Sequence, residues 1–183
     1  MVRRFLAGGL LTVLTLTLSA ASHGGDNAAP KPPTPPTNAA LEKLKQLAGT
    51  WLVADKDGKP TDQVASVIKV TSGGSAIVET LFPGQPHEMV SIYTAEGPDL
   101  YMTHYCVLGN QPRMKADPNS PANQIVWHFV GGGNLNVKKD KHMHEGTVTL
   151  IDDDHIEISG VAWENGAPLK EQCCEGMKLI RKK

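Results

Sequence analysis

From residue 49 onward the chain alternates apolar and polar positions with a period of two, and turn residues break that alternation at short intervals. A period of two is the mark of a strand with one buried face. The alternation predicts strands at Thr50–Ala54, Val64–Thr71, Ser75–Phe82, Glu88–Thr94, Leu100–Val107, Gln111–Lys115, Gln124–Val130, Met143–Ile151, His155–Trp163 and Glu171–Ile180, all rich in Val, Ile, Thr, Tyr and Trp. Between them stand Asp57-Gly58, Ser72-Gly73-Gly74, Pro83-Gly84, Glu96-Gly97-Pro98, Asp152-Asp153-Asp154 and Asn165-Gly166, which are turn sequences. Pro118 and Pro121 mark the longest break, Ala116–Asn123. No helix-length segment separates the strands, so parallel βαβ units are excluded and an antiparallel meander is expected. One helix precedes it. Asn38 can cap it, Leu41, Leu44 and Leu47 or Ala48 form its apolar stripe, and Gly49 ends it. A meander of about nine or ten strands leaves unpaired edges unless it closes. The expected fold is therefore all-β: an antiparallel up-and-down β-barrel with one short N-terminal helix. A two-sheet sandwich is the alternative. Barrels of this size hold packed side chains or one small ligand.

The N-terminus follows a different rule. Arg3 and Arg4 precede an uncharged apolar run, Phe5 to Ala20, and Ser19-Ala20-Ala21 places small residues at its end. Those three parts make a secretory signal peptide over residues 1–21. The apolar run is about 16 residues, short of the roughly 20 that a spanning helix needs. No cysteine lies near the cleavage point, which argues against a lipoprotein anchor. His23 to Asn38 carries Pro30, Pro32, Pro33, Pro35 and Pro36 and almost nothing to build a core, so residues 22–38 read as a disordered, proline-rich linker. Residues 39–183 are then one barrel domain, exported to the periplasm or the extracellular space. Of 18 basic residues the leader takes two, against 19 acidic ones, so the mature chain is slightly acidic. It has no basic patch for nucleic acid and no further membrane span. The three cysteines, Cys106, Cys173 and Cys174, lie beyond the signal, where disulfides are permitted. Neighbours on a strand face opposite ways, so Cys106 is expected to pair with Cys173 or Cys174, leaving one thiol free. Three small buried hydrophobes is the other reading.

A short helix leading into Gly49-Thr50-Trp51 resembles the Gly-x-Trp opening of calycin barrels, the lipocalins and nitrobindin-like proteins among them. Gly73–Thr80, Met102–Cys106, Gly109–Met114 and His142–Glu145 with Asp152–His155 are similar to an uncharacterised group of exported bacterial proteins with a lipocalin-like or DUF1579-like barrel. The likeness runs over roughly residues 47 to 163. It implies a barrel and supplies no reaction. Nitrobindin-like relatives bind haem through a histidine, which leaves haem as an option here with no position matched to it.

The densest polar stretch is Thr103 to Arg113. Leu100, Met102, His104 and Cys106 share one strand face, as suits a barrel interior, and Tyr101, Thr103, Tyr105 and Val107 share the other. The turn at Leu108-Gly109-Asn110 is expected to return Gln111 and Arg113 beside Cys106 and His104. Imidazole, amide and guanidinium together could orient an anionic or carbonyl ligand. The alternative is a structural polar network, with Arg113 paired to Glu79 or Glu88. Glu79, between Ile77 and Leu81, is either a buried carboxyl with a raised pKa, a partner for arginine, or a solvent-side group. His142 and His144 share a face in a His-x-His pattern that some metal sites use, with His104 or Glu79 as a third ligand. No Cys-x-x-Cys or Gly-x-Ser-x-Gly motif points to redox or serine chemistry. Ile125, Trp127 and Phe129 should face inward. The sequence thus predicts an exported barrel that binds a small molecule through Glu79, His104, Asn110, Gln111 and Arg113. No motif demands catalysis. The alternatives are a metal- or haem-binding protein using His104 with His142 or His144, and an interaction domain with no pocket. Neither haem nor a divalent metal is demanded, and the oligomeric state is open.

Overall fold

The computed structural model describes residues 37–170 and 174–183. The expected signal peptide and nearly all of the expected proline-rich linker lie outside them. The helix α1 spans Ala39–Lys45, and Asn38 caps it: its Oδ1 accepts from the Leu41 backbone N–H at 3.0 Å. Its apolar stripe, Leu41, Leu44 and Leu47, is buried. The strands are β1 (Gly49–Ala54), β2 (Pro60–Thr71), β3 (Ala76–Leu81), β4 (Met89–Glu96), β5 (Asp99–Tyr105), β6 (Gln111–Ala116), β7 (Gln124–Gly133), β8 (His142–Leu150), β9 (His155–Glu164), the two-residue β10 (Ala167–Pro168) and β11 (Cys174–Arg181). Each long strand overlaps one expected from the alternation. β2 starts earlier, because Pro60 at its first position pairs with Ala54 and proline is tolerated where a strand begins. The longest link between strands is 134–141 rather than the proline-marked 117–123.

Every pairing is antiparallel, β1 through β8 in sequence order, with β11 between β1 and β9. β8 and β9 form a further hairpin, and the pairing of β11 with both β9 and β1 closes the ring, so ten strands form a barrel and β10 hangs on the end of β9. Closure leaves no long edge for another chain to extend.

Antiparallel order sends the connections alternately to two ends. At one end α1 lies across the opening. Asn38 Nδ2 donates to the carbonyls of Gly97 (3.2 Å) and Pro98 (3.0 Å), and Lys43 Nζ donates to those of Ala122 (2.6 Å) and Gln124 (2.9 Å). Trp51 is wholly buried beneath it and donates its indole N–H to the Leu47 carbonyl at 2.8 Å. Arg181 stacks 4.4 Å over the Trp51 ring and donates to the Ala48 (2.8 Å) and Gln46 (2.9 Å) carbonyls. Gly49 is needed here. Its φ is +141°, and a Cβ would stand 3.0 Å from an Arg181 guanidinium nitrogen. The other end, formed by the links 55–59, 82–88, 106–110 and 134–141, has no such lid among the described residues. No described helix is long and apolar enough to cross a membrane.

Candidate functional site

Register builds the site. In antiparallel strands, directly opposed residues share a face. Ile68 opposes Glu79, Glu79 opposes Ser91, and Ser91 opposes His104, so β2 to β5 carry one row across the inner wall. The adjoining row, Ile77, Tyr93, Met102 and Met114, is buried and mostly apolar. Each residue of these rows is an alternate position of its strand, and pairing sets the rows side by side.

The rows meet through hydrogen bonds. Ser66 Oγ donates to Glu79 Oε1 at 2.6 Å, and the Tyr93 hydroxyl donates to Glu79 Oε2. Ser91 Oγ and His104 Nδ1 are 3.0 Å apart. All five side chains are buried, and all five line a cavity of about 400 Å³ inside the barrel. The opposite wall is mostly apolar, with Trp127, Val148, Ile156, Ile158, Met177 and Leu179, and the buried His142 together with Thr147 and Ser159 also lines the cavity. Leu44 of α1 and Leu47, in the turn after it, close the floor. Phe82, His87, Leu108 and Lys141 reach the cavity from the open end. Phe82 adopts a left-handed φ of 49° at that rim, a conformation that costs energy for a bulky residue.

Burial raises the Glu79 carboxyl above its ordinary value, and the Ser66 and Tyr93 hydrogen bonds oppose that rise. Burial and then the Glu79 charge push the Tyr93 phenol well up. Burial holds the His104 imidazole down to about 4, so it is neutral at pH 7. Its Nε2 makes no hydrogen bond among the described residues. Ser91 beside His104 has the appearance of a nucleophile and its base. However, β4 is paired on both sides, so its backbone N–H groups serve the ladders and none is free to hold an oxyanion. The Ser91 contact orients the imidazole.

Of the five residues expected to touch ligand, Glu79 and His104 face the cavity. Asn110, Gln111 and Arg113 do not line it. The correction is one of register. Met102 opposes Met114 and Thr103 opposes Arg113, so even positions of this hairpin face inward and odd ones outward. Arg113 therefore lies outside the barrel, with its guanidinium 4.2 Å from the Tyr101 ring centroid and paired to Glu96, not to Glu79 or Glu88. Gln111 Nε2 donates to the Gly109 carbonyl at 3.0 Å within the turn. Asn110 is buried, and its Nδ2 donates to the Lys141 carbonyl at 2.8 Å, tying the β5–β6 turn to the start of β8. Ser66, Ser91 and Tyr93 were missed. A two-residue turn at Pro83-Gly84 would set Glu88 opposite Glu79; the longer link, 82–88, is what brings Ser91 there.

His142 and His144 meet, but through each other. His142 Nε2 lies 3.1 Å from His144 Nδ1, and His142 Nδ1 lies 2.8 Å from the Asp140 carbonyl oxygen. The bulge between Met143 and Glu145 lets His144 stack on Trp163, with ring centroids 3.9 Å apart, and on Phe129 at 4.9 Å. Both His142 ring nitrogens are thus engaged. Among the described residues no group of three or more His, Cys, Asp or Glu is placed to hold a metal ion. For a haem, a neutral imidazole with an unengaged Nε2 is the right type of ligand, and His104 is the residue that offers one. Cys106 is a half-buried free thiol at the open end. Cys173 lies outside the described residues, and four strands, β1 to β4, lie between β5 and the β11 strand that Cys174 opens. No family model matches the chain, and no curated protein matches it.

Proposed function

We propose that this chain is an exported barrel that binds one small, largely apolar molecule inside the ring, admitted at the open end and oriented by the polar wall of β2 to β5. The observation behind this reading is the cavity itself. About 400 Å³ lies within the range of small-molecule sites, and it joins apolar walls to a few convergent polar groups. A barrel whose only task was to present its outer surface would be expected to fill that space with side chains. The likeness of Gly49-Thr50-Trp51 to lipocalin-like barrels supports the same reading, and the signal-peptide pattern of residues 1–21 supports export.

Titrating the full chain with the neutral fluorophore N-phenyl-1-naphthylamine tests this. Saturable one-to-one enhancement is expected. Ala162→Phe, which puts a ring into the cavity from β9, should abolish it while the circular-dichroism spectrum is kept. No saturable binding by the parent chain, or full binding by the filled variant, would refute an interior site. Fractionation of expressing cells and N-terminal sequencing test export, with a mature start near residue 22 as the expected result.

A second reading rests on His104. Its neutral, unengaged Nε2 suits a haem iron or a divalent metal, with His142 or His144 as the further histidine the sequence suggested. A Soret band on haem loading that His104→Phe removes, or a stoichiometric metal by elemental analysis, would favour it over the first.

A further inference from the structure

We infer that the cavity selects an organic cation, an ammonium group on an apolar body, and that Glu79 is its counter-charge. This deepens the interior-binding reading and rests on it.

Glu79 is the only acidic residue among those lining the cavity, and it has no ion-pair partner among the described residues. The one Lys or Arg that reaches the cavity is Lys141, which stands exposed at the mouth, where water and salt screen it. The buried acid therefore sits among Ile77, Tyr93, Met102 and Trp127 with no cation of its own. An ionised carboxylate in such surroundings is unfavourable unless something positive comes to it.

The hydrogen-bond pattern leaves room for that partner. Ser66 donates to one carboxylate oxygen and Tyr93 to the other. A carboxylate offers about four acceptor sites, so roughly two stay open after these bonds. The two donors also fix the group's orientation beside the cavity. The Tyr93 and Trp127 rings, with centroids 5.6 Å apart and both lining the cavity, add π faces that attract a cation. His104, on the same wall, is neutral and does not repel one. An anionic ligand meets the reverse: it loses its water, meets Glu79, and finds no buried Lys or Arg among the lining residues.

Three ligands with one ring system test the charge preference by displacing N-phenyl-1-naphthylamine from the full chain: 1-naphthylmethylammonium, 1-naphthylmethanol and 1-naphthoate. The ammonium is expected to compete at concentrations about tenfold lower than the alcohol, the size of one charge-assisted hydrogen bond in a partly dry site. The carboxylate should be the weakest. Glu79→Gln keeps the shape, with a carbonyl acceptor for one of the Ser66 and Tyr93 hydroxyls and an NH2 donor toward the other, and should remove the advantage of the ammonium over the alcohol. An alcohol as strong as the ammonium in the parent chain overturns the inference, as does an ammonium advantage that survives Glu79→Gln. If Glu79→Gln does not fold, the ranking in the parent chain decides. Failure of the fluorophore itself to bind defeats the interior-binding reading and this inference with it. Dye binding without a charge preference defeats this inference alone.

Discussion

The two ends of the barrel solve the same geometric problem in opposite ways. A ring of ten strands has two openings, and each could admit water to the core. At the helix end, every prominent polar group finds a protein partner: the Trp51 indole bonds Leu47, and Asn38, Lys43 and Arg181 saturate carbonyls of the neighbouring links. At the open end, Val107 and Leu108 are more than half exposed, and among the described residues Cys106 is a free thiol and the Asn110 Oδ1 and Trp163 Nε1 atoms are buried without a partner. Buried polar atoms are rarely left unpaired where structure alone is at stake. The contrast teaches that stability is concentrated at the plugged end and that the open end is left incomplete around the way in. The interior repeats the division, with a polar wall on β2 to β5 and a mostly apolar wall opposite.

The most direct way to break this contrast is at the plug. Trp51→Ala removes a fully buried indole, its hydrogen bond and its stacking with Arg181. A loss of about 3–5 kcal/mol is expected in urea unfolding. A loss well under that would mean that α1 is not a structural lid.

Next comes the polar wall. The unfolded imidazole titrates near 6.5 and the folded one near 4. Between those values the unfolded chain binds more protons, so His104 makes stability fall as pH drops through that window. The full effect is about 3 kcal/mol once pH passes below 4. Glu79 acts in the opposite sense, because a raised carboxyl favours the folded state on acidification. Urea midpoints for the parent chain and His104→Gln, followed from pH 7.5 to 4, separate the two. The parent chain should lose more than the variant over that range; parallel curves would show His104 to be solvated.

The smallest effect is expected outside the ring. Arg113 and Glu96 are exposed partners, so Arg113→Ala should cost at most about 1 kcal/mol and leave N-phenyl-1-naphthylamine binding unchanged. A binding defect there would place Arg113 at the site after all and contradict the register of β5 with β6.

How much of this was legible in the sequence depended on the range of the interaction. The inward faces of β5 and β7 followed from alternation, because a strand's two faces are a local property. Thus Met102, His104, Ile125 and Trp127 were placed correctly before any pairing was known. Glu79 was legible as a choice between core and skin, and burial settled it. Arg113 was misplaced although a turn centred on Gly109 already opposes odd positions to odd ones and so sets Arg113 on the outward face of Tyr101 and Thr103. One residue of register exchanges inside for outside. Ser66, Ser91 and Tyr93 carry no motif, and they become a site only once β2, β3, β4 and β5 lie side by side.

The sequence by itself therefore determined the all-β meander, the capped helix ahead of it and the strands that carry acid and imidazole. Local alternation, turn chemistry and capping are written in neighbouring residues. Only the tertiary structure decided that β11 returns to β1, that α1 plugs one end, and that Glu79 and His104 share a cavity from which Arg113 is shut out. Closure and register join residues far apart in the chain, and their spacing in sequence does not encode that meeting.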